Sequence, residues 1–274
     1  MIKIAASKKR LALGVLGGAL LLTPLALVFT RTGSGVKARG SAPRVIRDNQ
    51  MPRLILWAWE RPSDLSFIDP NKVGVAFLAR TIYLRGDRVI ARSRLQPLNV
   101  PQGTVLTAVA RIETDRLAPP TLSKGQREEL VSKLIAMSAL PGITAVQIDF
   151  DAKQSERTFY RQLIADVRRS LSPNLMLSIT ALSSWCTGDN WLTDLPIDDA
   201  VPMLFRMGPD RHQVLSRLEN GNGFMSDLCR NSYGIATDEP VNHLDATKRF
   251  YVFNPSAWTK KSLASFREKI TNDY

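Results

Sequence analysis

What most constrains this chain is the recurrence of short, apolar, extended runs separated by helix-like or loop-like segments. From residue 53 onward the runs are 54–60 (LILWAWE), 73–84, 104–113, 142–151, 175–185, 200–207, 233–239 and 249–254. Helical patterns lie between several of them, at 123–140, 154–171 and 210–219, and another closes the chain at 259–271. Ser123, followed three residues later by Gln126, has the form of a capping box, and Pro141-Gly142 stops the segment that it opens. The connections after the first, second and seventh runs are too short or irregular for full helices. Eight strands interleaved with helices predict an α/β fold: a (β/α)8 TIM-type barrel over residues 53–274, with some helices short or missing. A flavodoxin-like or Rossmann sheet is the competing arrangement, but no G-x-G-x-x-G follows a strand, and Gly221-Asn222-Gly223 is only a loop signal.

The fourth run carries two opposite chemistries. Side chains of a strand alternate between its faces, so Ala145, Gln147, Asp149 and Asp151 share one side while Val146, Ile148 and Phe150 share the other. With helices before and after it, the apolar side should meet helices and the polar side should face the lumen or a cleft. In such a barrel the chemistry belongs where strands end. Those ends are rich in reactive and aromatic groups: Trp57, Trp59 and Glu60 after the first, Arg111 and Glu113 at the third, and Asp149 and Asp151 at the fourth. Trp185 and Cys186 follow the fifth, Arg206 the sixth, Asp238 and Glu239 the seventh, and Asn254 and Trp258 the eighth.

Two carboxylates two residues apart on one face repel, so one of them should hold its proton to a higher pH. That is the division of labour glycoside hydrolysis needs, with one acid and one base, nucleophile or stabiliser. Asp151 is the expected general acid and Asp149 its partner, with Glu60 and Glu239 as further catalytic candidates. The expected substrate-binding residues are Trp57, Trp59, Arg111, Glu113, Trp185, Arg206, Asp238, Asn254 and Trp258, the tryptophans as platforms for sugar rings. The competing role for Asp149 and Asp151 is an interior ion pair with Arg111, Arg206 or Lys153. Asp149, Asp151 and Glu113 also form a set of oxygen donors that Mg²⁺ or Ca²⁺ would accept. We expect no metal site and no cofactor. Two histidines, His212 and His243, and no G-x-S-x-G elbow argue against zinc hydrolysis and a Ser-His-Asp enzyme.

Six blocks, LWAWERPSDLSFIDP, VGVAFLA, VQIDFDA, LSITALSSWC, VPMLFRMG and GIATDEP, resemble those of a bacterial family of exported proteins, domain of unknown function 3142, over residues 54–258. More distantly, the fourth strand is similar to that of the chitinase-like family 18 glycoside hydrolases, whose D-x-x-D-x-D-x-E ends in the acid. Asp149 and Asp151 match its second and third acids, whereas Val146 and Lys153 replace the first Asp and the final Glu. Shifted by two, Asp151 takes the acid position and Gln147 replaces an Asp. The resemblance implies a barrel with a sugar-facing mouth.

The formal charge of +12 suggests nucleic acid until it is divided along the chain. Residues 1–50 hold nine Lys/Arg against Asp48 alone and supply +8 of it, leaving +4 for the other 224 residues, so no nucleic-acid partner is expected. Lys8, Lys9 and Arg10 precede an uncharged run at 11–30, the pattern of an export signal. That run is just long enough to span a bilayer and lacks a clear cleavage site, so residues 1–31 read as a signal anchor. Residues 32–52 read as a basic linker. The positive-inside rule then puts the chain in a bacterial inner membrane as a single-pass protein with its barrel in the periplasm, or secretes it if the segment is cleaved. In that oxidising compartment Cys186 and Cys229 are candidates for one disulfide. The combined expectation is a glycan-binding barrel, acting on cell-envelope polysaccharide as a glycoside hydrolase, or alternatively a non-catalytic envelope glycan-binding or interaction protein.

Overall fold

The eight apolar runs form the eight strands of a closed barrel. The structure, a computed structural model, describes residues 2–3, 51–242 and 244–273. Apart from residues 2–3 the expected anchor, and apart from 51–52 the basic linker, lie outside the described residues. Among the described residues no helix is long and apolar enough to cross a membrane.

The barrel strands are β1 (Leu54–Ala58), β2 (Val73–Arg85), β3 (Leu106–Thr114), β4 (Ile143–Phe150), β5 (Met176–Leu182), β6 (Asp199–Met203), β7 (Ser232–Ala236) and β8 (Arg249–Phe253). Each pairs in parallel with its sequence neighbours, and β8 pairs with β1 through Tyr251 opposite Ile55, which closes the ring. Closure rules out the open flavodoxin-like or Rossmann sheet.

Alternation along the strands sorts the side chains into two cores. Val146, Ile148 and Phe150 join the large outer core with Leu130, Leu163 and Ile164 of the helices, while Ala145 joins Ile55, Trp57, Val109, Val201 and Tyr251 inside the lumen. Within the lumen the Trp57 indole donates to Gln147 at 3.2 Å, and Gln147 donates to the Ser178 hydroxyl at 3.2 Å. Gly234 on β7 makes room for this: a Cβ there would stand 3.1 Å from the Trp57 ring and 3.2 Å from a backbone oxygen.

The helices are α1 (Lys124–Ile135), α2 (Arg157–Ser170), α3 (Ser183–Thr187), α4 (Arg211–Glu219) and α5 (Lys260–Asp273). Ser123 caps α1 by accepting from the Gln126 amide, and the Gln126 side chain reaches back to the Leu122 amide. Helix α1 ends at Ile135, short of residue 140, because 136–140 continue as turns into Gly142, whose φ is 76°. β5 ends at Leu182, not at 185, so Trp185 and Cys186 belong to α3. Where the helix after β1 is missing, Ser63–Asp64 pairs with Leu98–Val100, which pairs in turn with Ile2–Lys3. Leu65, Ile68, Leu98 and Val100 bury themselves there in the helix's place. After β2 the chain turns back at once, and Arg88–Ser93 forms an antiparallel hairpin with it.

Candidate functional site at the barrel mouth

A cavity of about 380 Å3 opens at the carboxyl ends of the barrel strands. Its aromatic wall is built by strands β6 and β8 and by the chain leaving β1. Phe205 and Phe253 stack at 5.8 Å with their planes 2° apart, and Trp59 meets Phe253 edge to face at 6.4 Å. Trp57 forms the floor: it is buried, packs on Phe205 and Tyr251, and its main-chain oxygen accepts from the Trp258 indole.

The polar wall comes from β3 and β4. Asp149, only 3% exposed, accepts from Arg111 at 2.9 Å and from the Thr180 hydroxyl at 2.7 Å. The same guanidinium donates to Asp151 at 3.0 Å and lies 3.8 Å from Glu113. Burial opposes the charge on Arg111, but Asp149, Asp151 and Glu113 together raise its pKa, so it stays a cation. Burial, and after it the Asp149 carboxylate, raises Asp151 above the usual carboxylate value against the pull of Arg111. The three carboxylates considered as metal ligands therefore converge on a guanidinium, which takes the place a divalent cation would need. Among the described residues no group of His, Cys, Asp and Glu is arranged to hold a metal ion.

Glu60 lines the cavity and accepts from the Thr81 hydroxyl at 3.1 Å. Arg94 shapes that side by donating to main-chain oxygens of Trp59, Arg61 and Gln96, which fixes the chain after β1. Arg206, held at φ 54°, also lines the cavity and pairs with Asp238 and Glu239. Its hydrogen bond lowers the Asp238 pKa.

Of the residues expected from the sequence, Trp57, Trp59, Glu60, Arg111, Glu113, Asp149 and Arg206 line this cavity. Asp151, Asp238 and Glu239 adjoin it through their arginines. Asn254 instead ties two loops together, accepting from Thr237 at 2.8 Å and donating to the oxygen of Ala257. Trp185 and Trp258 do not line the cavity. Trp185 packs edge to face on Trp191 at 4.8 Å within the outer core, and Trp258 is buried against Phe266 of α5. Apolar rings leaving a strand end can turn toward the helices as easily as toward the mouth, and burial drew these two outward. Lys153 turns to Glu156 at 3.7 Å. Cys186 and Cys229 are bridged, joining α3 to the turn before β7.

The sequence reading missed Phe205, Phe253, Thr81 and Tyr83. The first two were within reach: Val201, Met203 and Phe205, like Tyr251 and Phe253, follow the alternation that exposes one side of a strand to the lumen. Thr81 and Tyr83 depend on β2 running on past the barrel rim into its hairpin.

No family model matches this chain, so the resemblance to the exported-protein family rests on the six sequence blocks alone. No curated protein matches it. Among solved structures, the Bacillus cereus spore cortex-lytic enzyme SleL is similar at 12% identity and a TM-score of 0.44, over 67% of this chain and 50% of that one. This chain thus spans half the length of that protein.

Proposed function

We propose that the barrel mouth binds a glycan. The observation that carries this reading is the pairing, in one cavity, of an aromatic wall (Trp59, Phe205, Phe253) with a charged, hydrogen-bonding wall (Glu60, Arg111, Asp149). Ring faces suit the C–H side of a sugar, and fixed polar groups suit its hydroxyls. The position, at the carboxyl ends of the strands, is where barrels of this kind carry their sites. Titrating the full chain with envelope-derived and storage oligosaccharides should produce a saturable change in tryptophan fluorescence. Trp59→Ala should weaken binding roughly three- to tenfold, the worth of one ring contact. Silence across the whole panel would sink the proposal.

Hydrolysis is the second reading, and Asp151 favours it. Its side chain is 41% exposed, its pKa is raised, and a carboxylate partner stands beside it. On this reading Asp151 is the general acid and Asp149 the stabilising anion. Product release should then vanish in Asp151→Asn while binding persists; equal turnover in the variant excludes the role. With Lys153 at the family 18 acid position and turned to Glu156, a binding protein without turnover is the alternative.

The uncharged run at 11–30 behind Lys8, Lys9 and Arg10 supports export, with the barrel in the periplasm. An anchor would hold Ile2–Lys3 in the cytoplasm and cleavage would remove it, so either export route excludes its pairing with Leu98–Val100. Protease added to spheroplasts should degrade an exported barrel; full protection would overturn export.

A further inference from the structure

The two arginines that line the mouth are each neutralised already by more than one carboxylate. Arg111 is shared among Asp149, Asp151 and Glu113. Arg206 is held by Asp238 and Glu239, and Glu239 also meets Arg211 at 3.4 Å. Glu60 is placed differently. It accepts from a neutral hydroxyl, that of Thr81, and the cation acting on it, Arg94, directs its own hydrogen bonds to main-chain oxygens and the Ser63 hydroxyl.

Counted together, the ionic groups of the cavity and their partners are Glu60, Glu113, Asp149, Asp151, Asp238 and Glu239 against Arg94, Arg111, Arg206 and Arg211. The acids outnumber the arginines by two, in a chain whose formal charge is +12. The mouth is thus charged opposite to the chain that carries it. The arginines that line the cavity, Arg111 and Arg206, are both already paired with carboxylates, so an anionic sugar entering here adds to the excess. A neutral sugar desolvates Glu60 without replacing its lost water with a counter-charge. A cation does replace it.

Resting on the glycan reading above, we infer that the preferred ligand is a cationic amino sugar, a glycan unit bearing a free rather than acetylated amine, with its ammonium directed to Glu60. The ring carbons pack on Trp59, Phe205 and Phe253, and the hydroxyls meet the Arg111–Asp149 wall. Glu60 is therefore a specificity-determining residue for this site.

The test titrates the full chain with three matched sets of oligosaccharides: glucosamine oligomers with free amines, the same oligomers fully N-acetylated, and uronate oligomers. The free-amine set should bind tightest, by about tenfold over the acetylated set, the discrimination of one charge-assisted hydrogen bond. Added salt should weaken that set most. Glu60→Gln should remove most of the preference at an unchanged melting temperature, while Glu128→Gln, on the exposed face of α1 away from the mouth, should preserve it. Equal or tighter binding of the acetylated or uronate oligomers would overturn the inference and leave the glycan reading standing. An undiminished preference in Glu60→Gln would overturn it as well. Absence of binding in all three sets would overturn the inference, and silence across the wider oligosaccharide panel as well would overturn both.

Discussion

Arg111 is the residue on which the polar half of the mouth depends. It lies between one buried carboxylate, Asp149, and one half-exposed carboxylate, Asp151, and removing it strands the buried one. Arg111→Met should therefore cost about 3–5 kcal/mol, as expected when one member of a buried pair is lost, and denaturant unfolding measures it. Asp151 makes a prediction of opposite kind. Its folded-state pKa lies above the ordinary carboxylate value, so between the two values the folded protein holds a proton that the unfolded chain has released. Its contribution to stability is fully present below the unfolded value and is lost as pH rises through the folded one. Asp151→Asn should gain on the wild type in melting temperature as pH rises from acid to neutral; a difference that does not vary with pH would contradict this. The two roles were foreseen unequally. That Asp149 and Asp151 share a face follows from strand alternation, but Arg111 is 38 residues from Asp149 in sequence, and its reach across the β3–β4 pairing is a tertiary fact.

At the scale of elements, strand β2 does more than complete the ring. Its last residues rise above the rim, pair with Arg88–Ser93, and carry Thr81 and Tyr83 into the cavity wall. The hairpin closes through a two-residue loop, Gly86-Asp87, with Gly86 at φ 57°, where a side chain is strained. Gly86→Val should cost about 1–2 kcal/mol by that strain and loosen the wall beneath it. Calorimetry reads the first effect and oligosaccharide titration the second. The sequence reading ended the second run at 84 and gave no strand at 88–93, so this hairpin came only with the structure. Helix α1 shows the reverse case, since its cap at Ser123 could be read directly from the spacing to Gln126 and stands as expected.

For the molecule as a whole, the Cys186–Cys229 bridge closes a loop with a sequence separation of 43 that includes β6 and α4. Reduction should lower unfolding stability by about 3–4 kcal/mol on the chain-entropy model, detectable as a fall in melting temperature with and without reductant. The pattern of apolar runs and helices determined the barrel, because periodicity is local and eight parallel strands with short connections have few ways to bury both faces. Alternation within β4 likewise determined that Asp149 faces inward. What only the tertiary structure decided is which aromatic rings reach the mouth and which carboxylates meet which arginines. Trp59 and Trp185 look alike at the ends of their runs, yet one faces the cavity and the other the outer core. The reason is physical: side chains beyond a strand end are released from the alternation rule, and their direction is set by packing and charge pairing with segments far away in sequence.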